Sequence, residues 1–257
     1  MESDEHLSAR LRNYSEHFLG RDVAEAYELL YEPGQYDQVL WQIEREFLFR
    51  LLQENASHWP ACSYLDFACG TGRVLADIES KVASSTGVDI SDAMLRIAAQ
   101  KVRRSRLACA DITTPARPDE RYDLITAFRF FLNANPSQRN RVMKALAARL
   151  RNRHSLLVFT NHGNLFSYKL LLWPYHRLRR VGRPHPTVGN YLTHAQVIEL
   201  LAEAGLEVVT RFGCGFISPH VYRFAPRLFG NVEQMFAGKQ WVSRFGVDQI
   251  YAVRKPE

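Results

Sequence analysis

Cysteine is scarce, with four residues in 257 (Cys62, Cys69, Cys109 and Cys214), no CxxC pair and no Cys/His spacing of the zinc-site kind. That excludes a disulfide scaffold; the four read as free thiols, and no metal is expected. Long apolar runs are missing as well. A run such as 170–173 is far below the roughly 18 residues that a membrane-spanning helix needs. The opening MESDEHLSARLR is polar and lacks an apolar h-region, so the expectation is a cytoplasmic chain without a secretory signal. With 14 Gly and 11 Pro there is no collagenous or low-complexity character, and no internal repeat is visible.

The most informative absence is of acid. Residues 1–123 hold 14 Lys/Arg and 21 Asp/Glu, residues 124–198 hold 12 and none, and residues 199–257 hold 7 and 6. A single-sign block of that length creates a positive field that attracts phosphates, anionic lipid heads or acidic substrates, unless the acidic N-terminal third neutralises it.

What is present is an ordinary globular composition, 46% hydrophobic and 23% charged, long enough to bury its own core. Residues 7–58 carry apolar side chains at helical spacing (Val39, Leu40, Ile43, Phe47, Leu48, Leu51, Leu52), broken at Pro33-Gly34. From Ser63 the pattern becomes short apolar runs alternating with amphipathic stretches. Strands are expected at 64–68, 85–90, 107–110, 122–128, 155–160, 206–212 and 247–253. Helices are expected at 74–81, at 93–102 behind Ser91-Asp92, from Asn135-Pro136 onward, and from Thr193 to Ala204, where Gly205 acts as the stop. This alternation predicts an α/β fold: a doubly wound, seven-stranded, mostly parallel sheet. The chain divides into an N-terminal helical segment, 1–58, and a core, 59–257, with inserts at about 164–192 and 216–240 forming a substrate cap.

LDFACGTGR ends the first strand and opens a helix, where a glycine-rich turn with Gly70 and Gly72 lets backbone approach a nucleotide-like ligand. GVDI closes the second strand with Asp89, a carboxylate placed to accept from ribose hydroxyls. CADI closes the third with Asp111, which can accept from an exocyclic adenine amine. With these motifs the chain resembles the class I S-adenosylmethionine-dependent methyltransferases of the small-molecule type (methyltransferase type 11/25-like), closely over about 60–160 and by element order over 190–257. The resemblance implies S-adenosyl-L-methionine as cofactor. It implies Asp66, Ala68, Gly70 and Gly72 around the methionine end, Asp89 at the ribose, Ile90 against adenine, Asp111 with Ile112 at the adenine edge, and Phe128 supplying backbone near the methionine moiety. Ala68 stands where the family has a glycine, which implies a slightly tighter fit. Tyr27, Tyr31 and Tyr36 are candidates for the aromatic that closes over the cofactor in this family.

In this topology the crevice lies beyond the carboxyl ends of the strands, which selects 129–133 and 161–164. There His162 is the candidate general base and Arg129, with Asn133, the candidate for positioning an acidic acceptor. The insert LFSYKLLLWPYHRLRRVGRPHP reads as a lid or, with Phe166, Trp173 and its Arg cluster, as a peripheral membrane contact through 165–183. The expected activity is methyl transfer, at oxygen, to a small-molecule or lipid- or glycan-linked acceptor. An RNA methyltransferase using the 124–198 block and a non-catalytic cofactor-binding partner subunit are the alternatives. Nucleic acid is the weaker partner, since no separate RNA-binding module remains.

Overall fold

The computed structural model of the chain describes residues 21–54, 59–115, 120–164, 166–170, 192–237 and 239–256. Trp173, the Arg cluster of the first insert, His17, His176 and His185 lie outside the described residues. Seven strands form one sheet: β1 Ser63–Phe67, β2 Ser84–Asp89, β3 Arg106–Cys109, β4 Leu124–Ala127, β5 Leu156–Asn161, β6 Glu207–Cys214 and β7 Asp248–Arg254. Their order is β3-β2-β1-β4-β5-β7-β6. Strands β1 to β5 pair in parallel, and β7 runs antiparallel to both β5 and β6. The order in which strands are added to the sheet therefore switches sides between β1 and β4, where the connections after these two strands diverge and leave a crevice.

The helices are α1 Arg21–Leu29, α2 Tyr36–Glu54, α3 Arg73–Ile78, α4 Asp92–Lys101, α5 Pro136–Arg149, α6 His194–Glu203, α7 Pro219–Tyr222, α8 Pro226–Phe236 and α9 Gln240–Ser243. Three of the starts that flank the sheet are capped by side chains. Ser91 accepts from the Met94 amide ahead of α4, Asn135 accepts from Gln138 with Pro136 at the first position of α5, and Thr193 with Gln196 forms a reciprocal box on α6. Helix α2 is a layer of the core and not an appendage. Its Leu40, Trp41, Ile43, Leu48 and Leu51 pack in one cluster with Tyr64, Val74, Leu75 and Leu124. The second cluster, on the other face, joins Leu65, Ile125 and Leu157 to Val142, Leu146, Val197 and Leu201 of α5 and α6.

Two boundaries differ from those expected for physical reasons. Strand β4 is shorter than 122–128: Asp123 turns its carboxylate to the Ser63 amide and hydroxyl, and Arg129 adopts φ 60, a left-handed conformation that no strand continues through. Strand β6 runs on to Cys214 because it pairs along β7 as far as Asp248. The second insert, expected at about 216–240, is helical and comprises α7, α8 and α9.

Candidate active site

The turn after β1 enters α3 through two left-handed glycines, Gly70 at φ 52 and Gly72 at φ 77. At Gly72 a Cβ would stand 2.9 Å from the Ala98 Cβ, so the glycine is needed for α4 to pack against the turn. Ala68 lies at φ 52 in the same turn. The departure from glycine is thus a matter of backbone strain as much as fit, since an L-residue in this region costs roughly 1–2 kcal/mol.

Asp89 fastens the turn to β2. Its Oδ2 accepts from the Gly70 amide at 2.8 Å and its Oδ1 from the Ser91 amide at 2.9 Å. Burial raises the pKa of this carboxyl, and the amides of Ser91, Gly70 and Ile90 pull it back. Each oxygen keeps a lone pair for a further donor. At the next strand end Asp111 accepts from the Thr113 amide and hydroxyl, both at 2.8 Å, which presents the loop 111–113 edge-on.

Between these strand ends lies a cavity of about 260 Å³. Its wall includes Ala68, Gly70, Asp89, Ile90, Asp111, Ile112 and Phe128, seven of the nine cofactor positions implied by the sequence, together with Arg129. Gly72 belongs to the turn but not to the wall, and Asp66 sits beneath it, 1% exposed. Among the lining residues that were not singled out by sequence are Met94 of α4, and Gln138 and Arg141 of α5. Their signal was available in outline, since the N-terminal halves of both helices follow strand ends at the crevice. Of the three tyrosines, Tyr27 lines the cavity, Tyr31 is stacked on Arg73, and Tyr36 is buried against Glu233 at 3.0 Å.

Two buried side chains of opposite charge type, Asp66 and Arg73, lie behind the turn. The Tyr64 hydroxyl donates to Thr126, whose own hydroxyl donates to Asp66 Oδ1 at 2.6 Å, while Oδ2 has no partner among the described residues. Burial pushes the Asp66 carboxyl up to about 7. Next to it, the Arg73 guanidinium lies 4.0 Å from the Tyr31 ring centroid and 4.1 Å from that of Trp41, with Nε and Nη1 unpartnered among the described residues. A buried acceptor and a buried cation, each with unused capacity, suit an α-ammonium and an α-carboxylate.

Against this geometry, the residues 65–153 match the family profile described as "Methyltransferase domain". The chain carries a methyltransferase domain over these residues. Among its relatives, the demethylmenaquinone methyltransferase of Thermotoga maritima is 29% identical over 167 residues, covering 56% of this chain and 69% of that protein. In fold, the methyltransferase resembles the magnesium protoporphyrin IX methyltransferase of Synechocystis PCC 6803 with bound S-adenosylhomocysteine, at a TM-score of 0.67 and 15% identity, covering 96% of this chain and 100% of that one. It also resembles the N-methyltransferase NodS of Bradyrhizobium japonicum WM9, at a TM-score of 0.58 and 16% identity, with coverage of 96% and 99%.

The two residues expected to act on the acceptor are placed differently. The Arg129 guanidinium is an internal counter-ion. Nη2 lies 3.2 Å from Glu44 of α2 and Nη1 lies 2.8 Å from Asp248 of β7, the latter an ion pair and not a well-angled hydrogen bond. Its charge is therefore committed to two buried acids, which removes the reason for assigning it an acidic acceptor. His162 is absent from the cavity wall among the described residues. Burial, reinforced by the charges of Arg129, Lys169 and Arg139, holds its imidazole well below the usual range. It is a neutral ring and a poor proton acceptor at pH 7, unlike the unperturbed histidine that the base assignment required. The His162→Gln variant is accordingly expected to keep turnover within about threefold of wild type, measured as S-adenosylhomocysteine release. A loss on the order of a hundredfold, the size typical of a deleted general base, restores the base role.

Proposed function

We propose that the methyltransferase binds S-adenosylmethionine across the β1, β2 and β3 strand ends and transfers its methyl group to an oxygen of a small-molecule acceptor. The observation that supports this most is the convergence of Gly70, Asp89 and Asp111 on one cavity. When bound, the cofactor supplies the electrophilic methyl group, so the protein's task is alignment. In this reading Asp89 accepts from the ribose hydroxyls while fixing Gly70, Ile90 and Ile112 flank the adenine, and Asp111 accepts from its edge. Asp66 balances the α-ammonium from beneath the turn, and Arg73 donates to the α-carboxylate. Phe128, 5% exposed and edge-on to Trp41 at 5.8 Å, closes the floor and keeps water away from the methyl group.

The rest of the wall supports the acceptor class in this reading. Tyr27, Asn133, Gln138 and Arg141 are the polar groups toward α1 and α5, and no imidazole or amine joins them among the described lining residues. A site with that lining suits an acceptor that reaches it ionised or easily ionised, such as a carboxylate or an acidic phenol or enol, which the positive field of 124–198 attracts. The relative's acceptor, demethylmenaquinone by its name, and the protoporphyrin acceptor of the structural neighbour agree with a small-molecule class.

The test is incubation with methyl-labelled cofactor and separated low-molecular-weight, RNA and protein fractions of a cell extract. Label in the small-molecule fraction, stable to acid or labile to base according to ether or ester, is the expected result. Label confined to RNA contradicts it.

Cofactor binding should also depend on pH. Asp66 must be ionised to balance an ammonium, and its carboxyl in the free protein titrates at about 7. Affinity is expected to rise about tenfold per pH unit below that value and level off above it. Binding near neutrality then releases a proton, seen as a buffer-dependent calorimetric enthalpy. An Asp66→Asn variant should lose both effects, and an unchanged pH profile in that variant removes the role.

A further inference from the structure

The second insert displays a surface that the methyl-transfer reading leaves unused. Along α7 and α8 the side chains of Val221, Phe224, Leu228 and Met235 point to solvent, with Phe224 87% and Leu228 60% exposed. Trp241, at 68%, and Phe245 continue it through α9. Large apolar groups exposed in such density mark a surface built for contact. The charges between them have one sign. Residues 208–247 contain five Lys/Arg and one acid, Glu233. Arg223, Arg227, Lys239 and Arg244 are exposed, whereas Glu233 is buried.

Glu233 anchors this surface to the sheet. Its carboxylate accepts from the amides of Gly215, Phe216 and Ile217 at 3.2, 3.1 and 2.7 Å, and from the Tyr36 hydroxyl at 3.0 Å. The acid thus pins the inner side of α8 to the end of β6 and to α2, and the outer side carries cations and apolar groups together with the uncharged Asn231 and Gln234. The first insert contributes at the same place. Asn164 donates to the carbonyls of Arg244 and Gly246, both at 2.9 Å, and just beyond it Phe166 and Leu170 are exposed. Strand β6 is antiparallel to β7, and β7 to β5, so β6 runs with the parallel strands. Its last residue, and the insert that follows, therefore lie at the same end of the sheet as the cofactor cavity.

We propose that this face, formed by 219–245 with Phe166 and Leu170, docks on a membrane surface containing anionic phospholipid. Aromatic and aliphatic side chains enter the boundary between head groups and acyl chains while the cations meet the lipid phosphates. The Arg244 guanidinium, 4.8 Å from the Phe245 ring centroid, and the Lys239 ammonium, 5.8 Å from that of Phe236, already fold along rings in the way amphipathic side chains do at an interface. A surface with interleaved cations and no exposed acid is matched by a continuous anionic plane. Docking there holds the open end of the catalytic sheet toward the bilayer, from which a sparingly soluble acceptor can enter.

The experiment is co-sedimentation of the full chain with vesicles of phosphatidylcholine alone and of phosphatidylcholine with phosphatidylserine, at low and high salt. Pelleting with the anionic vesicles, weakened by salt, is expected. Phe224→Ser and Trp241→Ser should each weaken the partition at least fivefold, and Arg227→Gln about fivefold, the equivalent of about 1 kcal/mol per cation at the surface. Phe224 and Trp241 are so exposed that their replacement leaves the fold intact, which an unchanged thermal midpoint verifies. Calorimetric binding of S-adenosylhomocysteine should be the same in all variants, which separates failure of docking from failure of the cofactor site. Absence of pelleting, equal pelleting of wild type and variants, or retention of RNA in place of vesicles overturns the proposal.

Discussion

Replacing Asp89 by alanine is expected to weaken S-adenosylmethionine binding on the order of a hundredfold or more, with little residual methyl transfer. The carboxylate does two things at once. It fixes the turn through Gly70 and Ser91, and it stands on the cavity wall where the proposed binding mode brings the ribose hydroxyls. Hydrogen bonds to a charged group contribute about 1.5–3 kcal/mol each, and losing two such interactions with the ligand gives at least this factor. Asp89→Asn separates the parts. An amide has one carbonyl oxygen where the carboxylate has two, so it can keep one of the two backbone donors and leaves the other unmet. It should therefore fall between wild type and alanine in both affinity and melting midpoint. Calorimetry with paired thermal melts checks both, and an Asp89→Ala protein that binds within threefold of wild type contradicts the assignment.

The second large effect concerns Arg129. Removing its charge, as in Arg129→Met, leaves Glu44 and Asp248 buried without a counter-ion, a defect of about 3–5 kcal/mol in comparable buried pairs. For a chain of this size that corresponds to a fall of roughly 10 °C in the melting midpoint. The pH dependence has a defined sign. Burial raises the Glu44 carboxyl to about 7 and raises Asp248 as well, so the folded state holds protons more tightly than the unfolded chain. Stability contributed by these acids is therefore greatest below the unfolded carboxyl range and declines as pH rises toward 7. Without Arg129 the decline should steepen. Combining Arg129→Met with Glu44→Gln and Asp248→Asn should recover most of the loss, because a fully neutral cluster carries no uncompensated charge. Melting curves of the three proteins across this pH range decide the matter, and a single variant as stable as wild type at neutral pH refutes the counter-ion role.

The cofactor crevice was legible because its parts are local. LDFACGTGR, GVDI and CADI each place a turn or an acid at the end of a strand, and parallel strands bring such ends together whatever the rest of the chain does. The helix starts were legible for the same reason, since Ser91, Asn135 and Thr193 cap within three residues of themselves. What depends on distant partners was not legible. Arg129 looks like a free cation after β4 until Glu44 and Asp248 arrive from α2 and β7. His162 sits at a crevice-side strand end, yet the cations that depress its basicity come from three separate segments. Sequence could place Tyr27, Tyr31 and Tyr36 only as a group. Their separate surroundings depend on how the N-terminal helices meet the core: cavity wall, Arg73 stack and Glu233 partner. The membrane-docking surface likewise emerges only once Glu233 is seen to be internal.

The most direct test of the account is calorimetric titration of the wild-type chain with S-adenosylhomocysteine and S-adenosylmethionine. The Gly70, Asp89 and Asp111 cavity predicts saturable one-to-one binding in the micromolar range for both, competitive with each other. No heat and no thermal stabilisation at millimolar ligand would contradict the cofactor site and every step that rests on it.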